Sequence, residues 1–311
     1  MERRFRAMGT DCHVIVTGDE SLLDLAQRRV DQLERRWSRF IGDSEVSRLN
    51  AAAGGALEVS GDTVLLVERA MEAWRMTGGG FDPTVLRAVE AAGYTESFEL
   101  LADRAPVVLG HSTPLGLVGC SDIQIVGSTV RLPEGTGFDP GGIGKGLAAD
   151  LVVEDLLAAG AAGACVNLGG DLRVAGVSPV GAWTVALEHA WSAEPVALLG
   201  LRAGAMATST TLRRRWTIEG GGERHHLIDP WTGEPSTTDI TQATVVADEA
   251  WVAEVMAKAV LLRGVDRAFD IITADLDAIV VDEEGTITAT DGVADYLGGV
   301  ALPSSIARRR G

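Results

Sequence analysis

The chain has 311 residues, 27 Lys and Arg against 44 Asp and Glu for a net charge of -17, and 46% apolar residues. That is about two ordinary domains or one large one, with enough apolar material for a packed core, which excludes intrinsic disorder as the general state. The acidic balance speaks against nucleic acid as a partner, and membrane insertion is excluded because the most apolar segments, 196–208 and 250–262, are broken by Arg202, Glu254 and Lys258, short of the roughly 18–20 apolar residues a span needs.

In chain order, residues 4–17 read as a strand around Val14, Ile15 and Val16. Residues 21–40 read as a helix, with Leu22, Leu25, Ala26, Val30, Leu33 and Trp37 at helical spacing. A short helix is expected over 43–50. Ser60 or Asp62 can cap a helix that runs to about Met76 and stops at Gly78-Gly79-Gly80. Phe81-Asp82-Pro83-Thr84 is a turn into another short helix, and the stretch 98–119 is punctuated by Pro and Gly. Residues 123–126 and 129–132 make a hairpin around Gly127-Ser128. The Gly-rich turn Asp139-Pro-Gly-Gly-Ile-Gly-Lys145-Gly146 opens a helix over about 147–159. Strands follow at 164–168, 172–175, 183–188 and 197–201, then a hairpin of 215–219 and 224–228 about Gly220-Gly221-Gly222, then a strand at 243–246. Asp248 can cap a helix over 249–262, and 278–282 with 286–290 form the last hairpin. Strands outnumber helices and hairpin-like turns join most of them. That predicts an α+β fold with mixed, largely antiparallel sheets rather than a doubly wound sheet. Nothing reads as a flexible linker, so 1–311 is expected to be a single domain of two intimately packed lobes.

Several residues can carry chemistry. In Asp139–Gly146 the glycines let a ligand approach the backbone, free N–H groups at a helix start favour an anion, and Lys145 adds a point charge. The spacing is neither a Walker A loop nor a dinucleotide fingerprint, so phosphate binding and a tight packing turn both remain open. Gly169-Gly170-Asp171 reads as a plain hairpin turn; Asp82 before Pro83 reads as a helix cap, or the glycines before it admit a flat ring or phosphate beside it. His225 and His226 point to opposite faces of a strand end, so at most one serves a given site; His is the side chain best poised to move a proton near neutral pH. The 250–262 helix is apolar almost all round except Glu254 and Lys258, one turn apart on one face. Either they pair with each other or they face a polar ligand. Cys12, Cys120 and Cys165 are far apart, which fits neither a disulfide framework nor a zinc site. Reduced thiols, and an N-terminus without an apolar export core, lead to an expected cytoplasmic location.

Taken together, Met8-Gly9-Thr10, Trp37-Ser-Arg-Phe40, Asp43-Ser-Glu-Val-Ser-Arg-Leu-Asn50, Gly80-Phe81-Asp82-Pro83-Thr84, Asp139 to Gly146, Val166-Asn-Leu-Gly-Gly-Asp171, Ala207-Thr208-Ser209, His226-Leu-Ile-Asp229-Pro230-x-Thr-Gly233 and the helix bearing Glu254 resemble the ApbE-type FAD:protein FMN transferases, in order and over nearly the whole chain. The resemblance implies an ApbE-like fold, binding of FAD, and Mg²⁺-dependent transfer (Mn²⁺ being possible) of the FMN half to a Thr or Ser hydroxyl of an acceptor protein, with release of AMP. It implies that Met8, Phe40, Gly80, Phe81, Asp82, Asp139, Lys145, Thr208 and Ile228 line the FAD site. The carbonyl of Gly142 and Glu254 would be metal contacts, and His226 or Asp229 the base for the incoming hydroxyl. The chain departs from the family where its helix usually offers the metal an Asp and, four residues on, a Thr; here stand Glu254 and Lys258. The Lys258 ammonium is then expected to serve as counter-charge to the FAD pyrophosphate, partly in place of the metal. The alternatives are a non-catalytic FAD-binding protein and an FAD pyrophosphatase.

Overall fold

A computed structural model describes residues 1–102, 119–189, 195–297 and 306–308. The punctuated stretch from 103 to 118 and the tail residues Arg309 and Arg310 lie outside the described residues. The chain divides into two compact units, the first made of Met1–Val30, Lys145–Thr210 and Thr238–Gly311, the second of Asp31–Gly144 and Thr211–Thr237.

Where one strand was expected, β1 (Glu2–Ala7) and β2 (Thr10–Thr17) form a hairpin. Ala7 pairs with Thr10, so the loop is Met8-Gly9 alone, and both residues have positive φ, 52° and 64°. Such loops match the strand twist but favour Asn-Gly. Met8 therefore holds a backbone conformation that costs an L-residue on the order of 1 kcal/mol. Helix α1 (Ser21–Trp37) buries Leu22, Leu23, Ala26, Val30, Leu33 and Trp37. Next come α2 (Glu45–Ala51), whose N-cap Ser44 accepts the Ser47 N–H, β3 (Ala56–Glu58), and α3 (Gly61–Met76), capped by Ser60 and not Asp62. The short helices α4 (Leu86–Ala91) and α5 (Phe98–Ala102) precede the hairpin of β4 (Gln124–Val126) and β5 (Thr129–Arg131). Helix α6 (Gly144–Ala158) begins inside the Gly-rich turn, three residues before its apolar run. The strands β6 (Gly163–Leu168), β7 (Asp171–Gly176), β8 (Trp183–Leu187) and β9 (Ala197–Leu201) follow. Then comes β10 (Gly204–Thr210), which the sequence reading did not separate from the apolar run before it. The chain continues through β11 (Arg215–Thr217), β12 (Glu223–His225), β13 (Ile240–Ala247), α7 (Ala250–Leu262), β14 (Asp277–Asp282), β15 (Ile287–Ala289) and β16 (Ile306–Arg308).

In the first unit, nine of the described strands form one sheet in the order β1-β2-β6-β7-β10-β13-β14-β15-β16. Neighbours are antiparallel throughout except β15 and β16, so the sheet is mixed and largely antiparallel, as expected for this α+β chain. The β8–β9 hairpin packs Trp183, Leu187, Leu199 and Leu201 onto Leu172, Val174, Met206, Val246, Ile279 and Val281 of the sheet. Helix α7 packs on β7, β10 and β13. All eight residues of β13 are buried, as a central strand covered on both faces requires. The second unit holds α2, α3, α4, the sheet β3-β5-β4 and the hairpin β11–β12. Part of its core is Ala88, Val89, Ala92, Tyr94, Trp216, Ile218 and Ile228. No described helix is long and apolar enough to cross a membrane.

Candidate functional site

Starting α6 inside the glycine turn puts Lys145 and Gly146 in its first helical turn. The Lys145 ammonium pairs with the Asp171 carboxylate and lies 3.1 Å from Glu254 Oε1, while Glu254 Oε2 accepts the Gly146 N–H at 2.7 Å. The side chains of Asp171 and Glu254 are 2% and 5% exposed, that of Lys145 19%. Two nearly dry carboxylates thus share one ammonium. Each buried charge has a partner, and the helix N-terminus adds its own attraction for Glu254. Glu254 therefore turns its carboxylate toward α6, and Lys258, one turn further along α7, is half-buried. Asp171 pairs with Leu168 at the mouth of the Gly169-Gly170 hairpin, so the turn expected there exists and also delivers a buried acid.

The two helices touch at close range. A Cβ on Gly146 would lie 2.6 Å from the Ala250 carbonyl carbon and 2.8 Å from Trp251 Cα, all backbone. Gly146→Ala is expected to cost about 2–3 kcal/mol, since backbone cannot yield as a side chain would. A chemical denaturation midpoint equal to wild type would refute that close packing. Asp248 does not cap α7, and Glu249 at the cap position makes no side-chain bond to it. Asp150 of α6 does so instead: its two oxygens accept the N–H groups of Ala250 and Trp251 at 2.8 and 2.9 Å. The Arg173 Nε lies 3.4 Å from Asp150, and another Arg173 nitrogen donates to the Asp248 carbonyl. Burial pushes the Asp150 carboxyl up to about 7, against the pull of the two N–H groups and of Arg173. Elsewhere in this unit, Thr208 Oγ1 lies 2.9 Å from Thr244 Oγ1 across the β10–β13 pair, and Met8 stands on the β1–β2 turn.

The second unit gathers rings around one cation. The Arg39 guanidinium lies 4.1 Å from the Phe40 ring centre and 4.7 Å from that of Tyr94, donates to the Tyr94 carbonyl at 3.0 Å, and has its Nε 3.7 Å from Asp139 Oδ1. Tyr94 stacks on Trp216 at 5.5 Å and meets His226 edge-on at 6.5 Å. Phe40 is 41% exposed, so a flat apolar face is available beside a buried cation. Asp139 Oδ1 also accepts the Gly141 N–H at 2.9 Å, which shapes the glycine turn. Asp82 Oδ1 accepts both the N–H and the hydroxyl of Thr84, and burial raises its carboxyl above the usual range. It folds this turn and does not cap α4, whose cap position is Val85. Gly80 and Gly142 are buried, as are Phe81 and Ile228. The Phe81 ring is part of the core.

His225 and His226 part company as alternation predicts. His225 Nδ1 accepts the Leu227 N–H, so its Nε2 carries the proton toward the Ser236 carbonyl at 3.0 Å. Burial holds its pKa below the ordinary value, and both nitrogens are committed to structure. His226 has a fully buried Nδ1 and meets the Tyr94 ring edge-on. Asp229 Oδ1 accepts the Trp231 N–H at 2.9 Å and its backbone bonds Gly233 and Glu234, so it builds the turn that follows His226.

The structure thus brings Lys145 and Glu254 together in one unit, and Phe40 and Asp139 around Arg39 in the other. Asp150, Arg173 and Tyr94 were not anticipated, and Arg39 and Asp171 were read only as parts of their motifs. The local signal at Asp150 was a single charge among Leu147, Ala148, Ala149, Leu151, Val152 and Val153.

The ApbE family profile matches residues 8–280. A curated FAD:protein FMN transferase of Rhodobacter capsulatus is 29% identical over 293 residues, covering 88% of this chain and 56% of the relative. The chain therefore spans little more than half the length of that protein. One of Treponema pallidum is 28% identical over 279 residues, 82% of this chain and 75% of the relative. Among solved structures, an ApbE protein of Thermotoga maritima superposes with a TM-score of 0.84 at 23% identity, covering 96% of this chain and 99% of that one. The flavin transferase ApbE of Vibrio cholerae does so at 0.78 and 22%, with the same coverage of each. These likenesses establish the shared fold.

Proposed function

Since the chain belongs to the ApbE family, we propose that it is an FAD:protein FMN transferase, which moves the FMN half of FAD onto a Thr or Ser hydroxyl of an acceptor protein and releases AMP. The observation that carries the reading is the activity borne by the two curated relatives, which align with most of the chain. The internal geometry of each unit is consistent with it.

In the first unit, Met8, Lys145, Thr208 and Lys258 are assigned to FAD. The strain at Met8 supports this, because Asn would suit the turn better and the Met side chain is kept for another reason. In the second unit, Phe40, Gly80, Phe81, Asp82, Asp139 and Ile228 are assigned to FAD. The acceptor oxygen bonds to the FMN phosphorus as the bond from that phosphorus to the AMP phosphate oxygen breaks. His226 takes the hydroxyl proton, with Asp229 as the second candidate. Lys145, which Asp171 and Glu254 hold in place, is a cation of the first unit assigned to the phosphoryl oxygens.

A divalent ion fits this donor chemistry in part. Magnesium binds through one or two carboxylates plus substrate phosphates, and Asp171 and Glu254 are two buried carboxylates side by side on the Lys145 ammonium. Glu254 would give the ion a carboxylate oxygen, and the Gly142 carbonyl is the other assigned donor. Mg²⁺, or Mn²⁺, when bound supplies further charge to the phosphoryl oxygens. Lys258 stands in this neighbourhood on α7 with the same sign as the ion, and we assign it to the pyrophosphate. Lys258→Ala is expected to weaken FAD binding about tenfold, the loss of one charge-assisted contact. Unchanged affinity in a flavin fluorescence titration would remove Lys258 from the site.

The deciding experiment is incubation with FAD, Mg²⁺ and a Thr-containing acceptor peptide, followed by peptide mass. Covalent FMN on the peptide with matching AMP release is the expected result. AMP release without labelled peptide would mean a pyrophosphatase, and bound FAD without AMP a storage protein.

A further inference from the structure

The contact between α6 and α7 is reciprocal. On α6, Gly146 and Asp150 are four residues apart and share a face; on α7, Ala250 and Glu254 do the same. Glu254 of α7 accepts an N–H from the first turn of α6, and Asp150 of α6 accepts two N–H groups from the first turn of α7. Each helix thus supplies the buried carboxylate that satisfies the orphan donors of the other. Two such links, one helical turn apart, resist pivoting and sliding of α7 on α6. The backbone approach at Gly146 removes the remaining slack.

Asp150 lies on the helix that carries Lys145 and grips the start of the helix that carries Glu254. We propose that Asp150, steadied by Arg173, is a positioning residue: it sets α7 on α6 and so determines where Glu254 meets Lys145. Arg173 reaches α7 by two routes, through Asp150 and through the Asp248 carbonyl. A merely stabilising cap would need neither the second route nor the reciprocal bond from Glu254. The inference rests on the reading that Lys145 serves the FAD diphosphate, and it adds a residue that controls that service without contacting the ligand.

The test uses Asp150→Asn, which keeps size and shape but turns an amide NH₂ toward one of the two N–H donors. Leu199→Ala, in the β8–β9 hairpin core, is the control for lost stability alone. Affinities for FAD and for ADP are measured well below the melting temperature of each variant. Asp150→Asn is expected to weaken both by about tenfold, the range seen when an outer partner of a binding group is lost, while Leu199→Ala leaves both at wild-type values. Arg173→Gln is expected to move them in the same direction by a smaller factor, and it decides the matter if Asp150→Asn does not fold. Wild-type affinities in Asp150→Asn, or in Arg173→Gln where that variant decides, would overturn the proposal and leave the flavin reading standing. A wild-type protein that binds no FAD would overturn the flavin reading, and this inference with it.

Discussion

Lys145→Met is expected to lower the stability of the protein by about 3–5 kcal/mol, because it leaves the Asp171 and Glu254 carboxylates facing each other without their shared cation. Neither carboxylate has water to turn to at 2% and 5% exposure. The loss is read from urea denaturation, as a shift of the midpoint at constant slope. Neutralising the acids in the same chain, as Lys145→Met/Glu254→Gln/Asp171→Asn, is expected to restore part of it, since the residual cost lies in unpaired charge rather than in missing packing. A single Lys145→Met variant as stable as wild type would show that the pairing is an accident of side-chain placement. The same substitution removes a charge assigned to the FAD diphosphate, so its affinity for FAD falls as well.

The second large effect is on rate. His226→Ala is expected to slow FMN transfer by about 10²–10⁴-fold, the span that a positioned general base contributes, while FAD binding stays near that of wild type. His225→Ala is expected to do the reverse. Its two ring nitrogens hold the Leu227 N–H and the Ser236 carbonyl, so its loss loosens the loop and costs stability. Single-turnover kinetics with saturating FAD and acceptor peptide separate the two variants. Transfer by His226→Ala at the wild-type rate would pass the base role to Asp229. That residue's Oδ1 already holds the Trp231 N–H, so Asp229→Asn would then have to show the rate loss with the turn intact.

Much of this protein is written locally. The buried stripe of α1, the serine caps of α2 and α3, and the Gly127-Ser128 hairpin each follow from a few neighbouring residues, because side-chain periodicity and turn chemistry act over one or two turns of chain. The Gly-rich run ending in Lys145 was recognisable for the same reason. The β1–β2 hairpin was not, because Met8-Gly9 lacks the Asn or Asp that usually signals such a turn. Strand β10 was hidden by an apolar run without alternation, which is how a doubly covered strand reads.

By itself, then, the sequence determined the α+β class, the order of most elements, and the motifs that tie the chain to its family. Only the tertiary structure decided which charges meet: Lys145 with Asp171 and Glu254, Asp150 with the start of α7, Arg39 with Asp139 and two rings. The reason is physical. A helix or a turn is chosen by interactions among residues a few positions apart, whereas a buried charge is indifferent to sequence distance. It takes whichever partner the closed chain brings within reach, in Asp150's case a helix start 100 residues away.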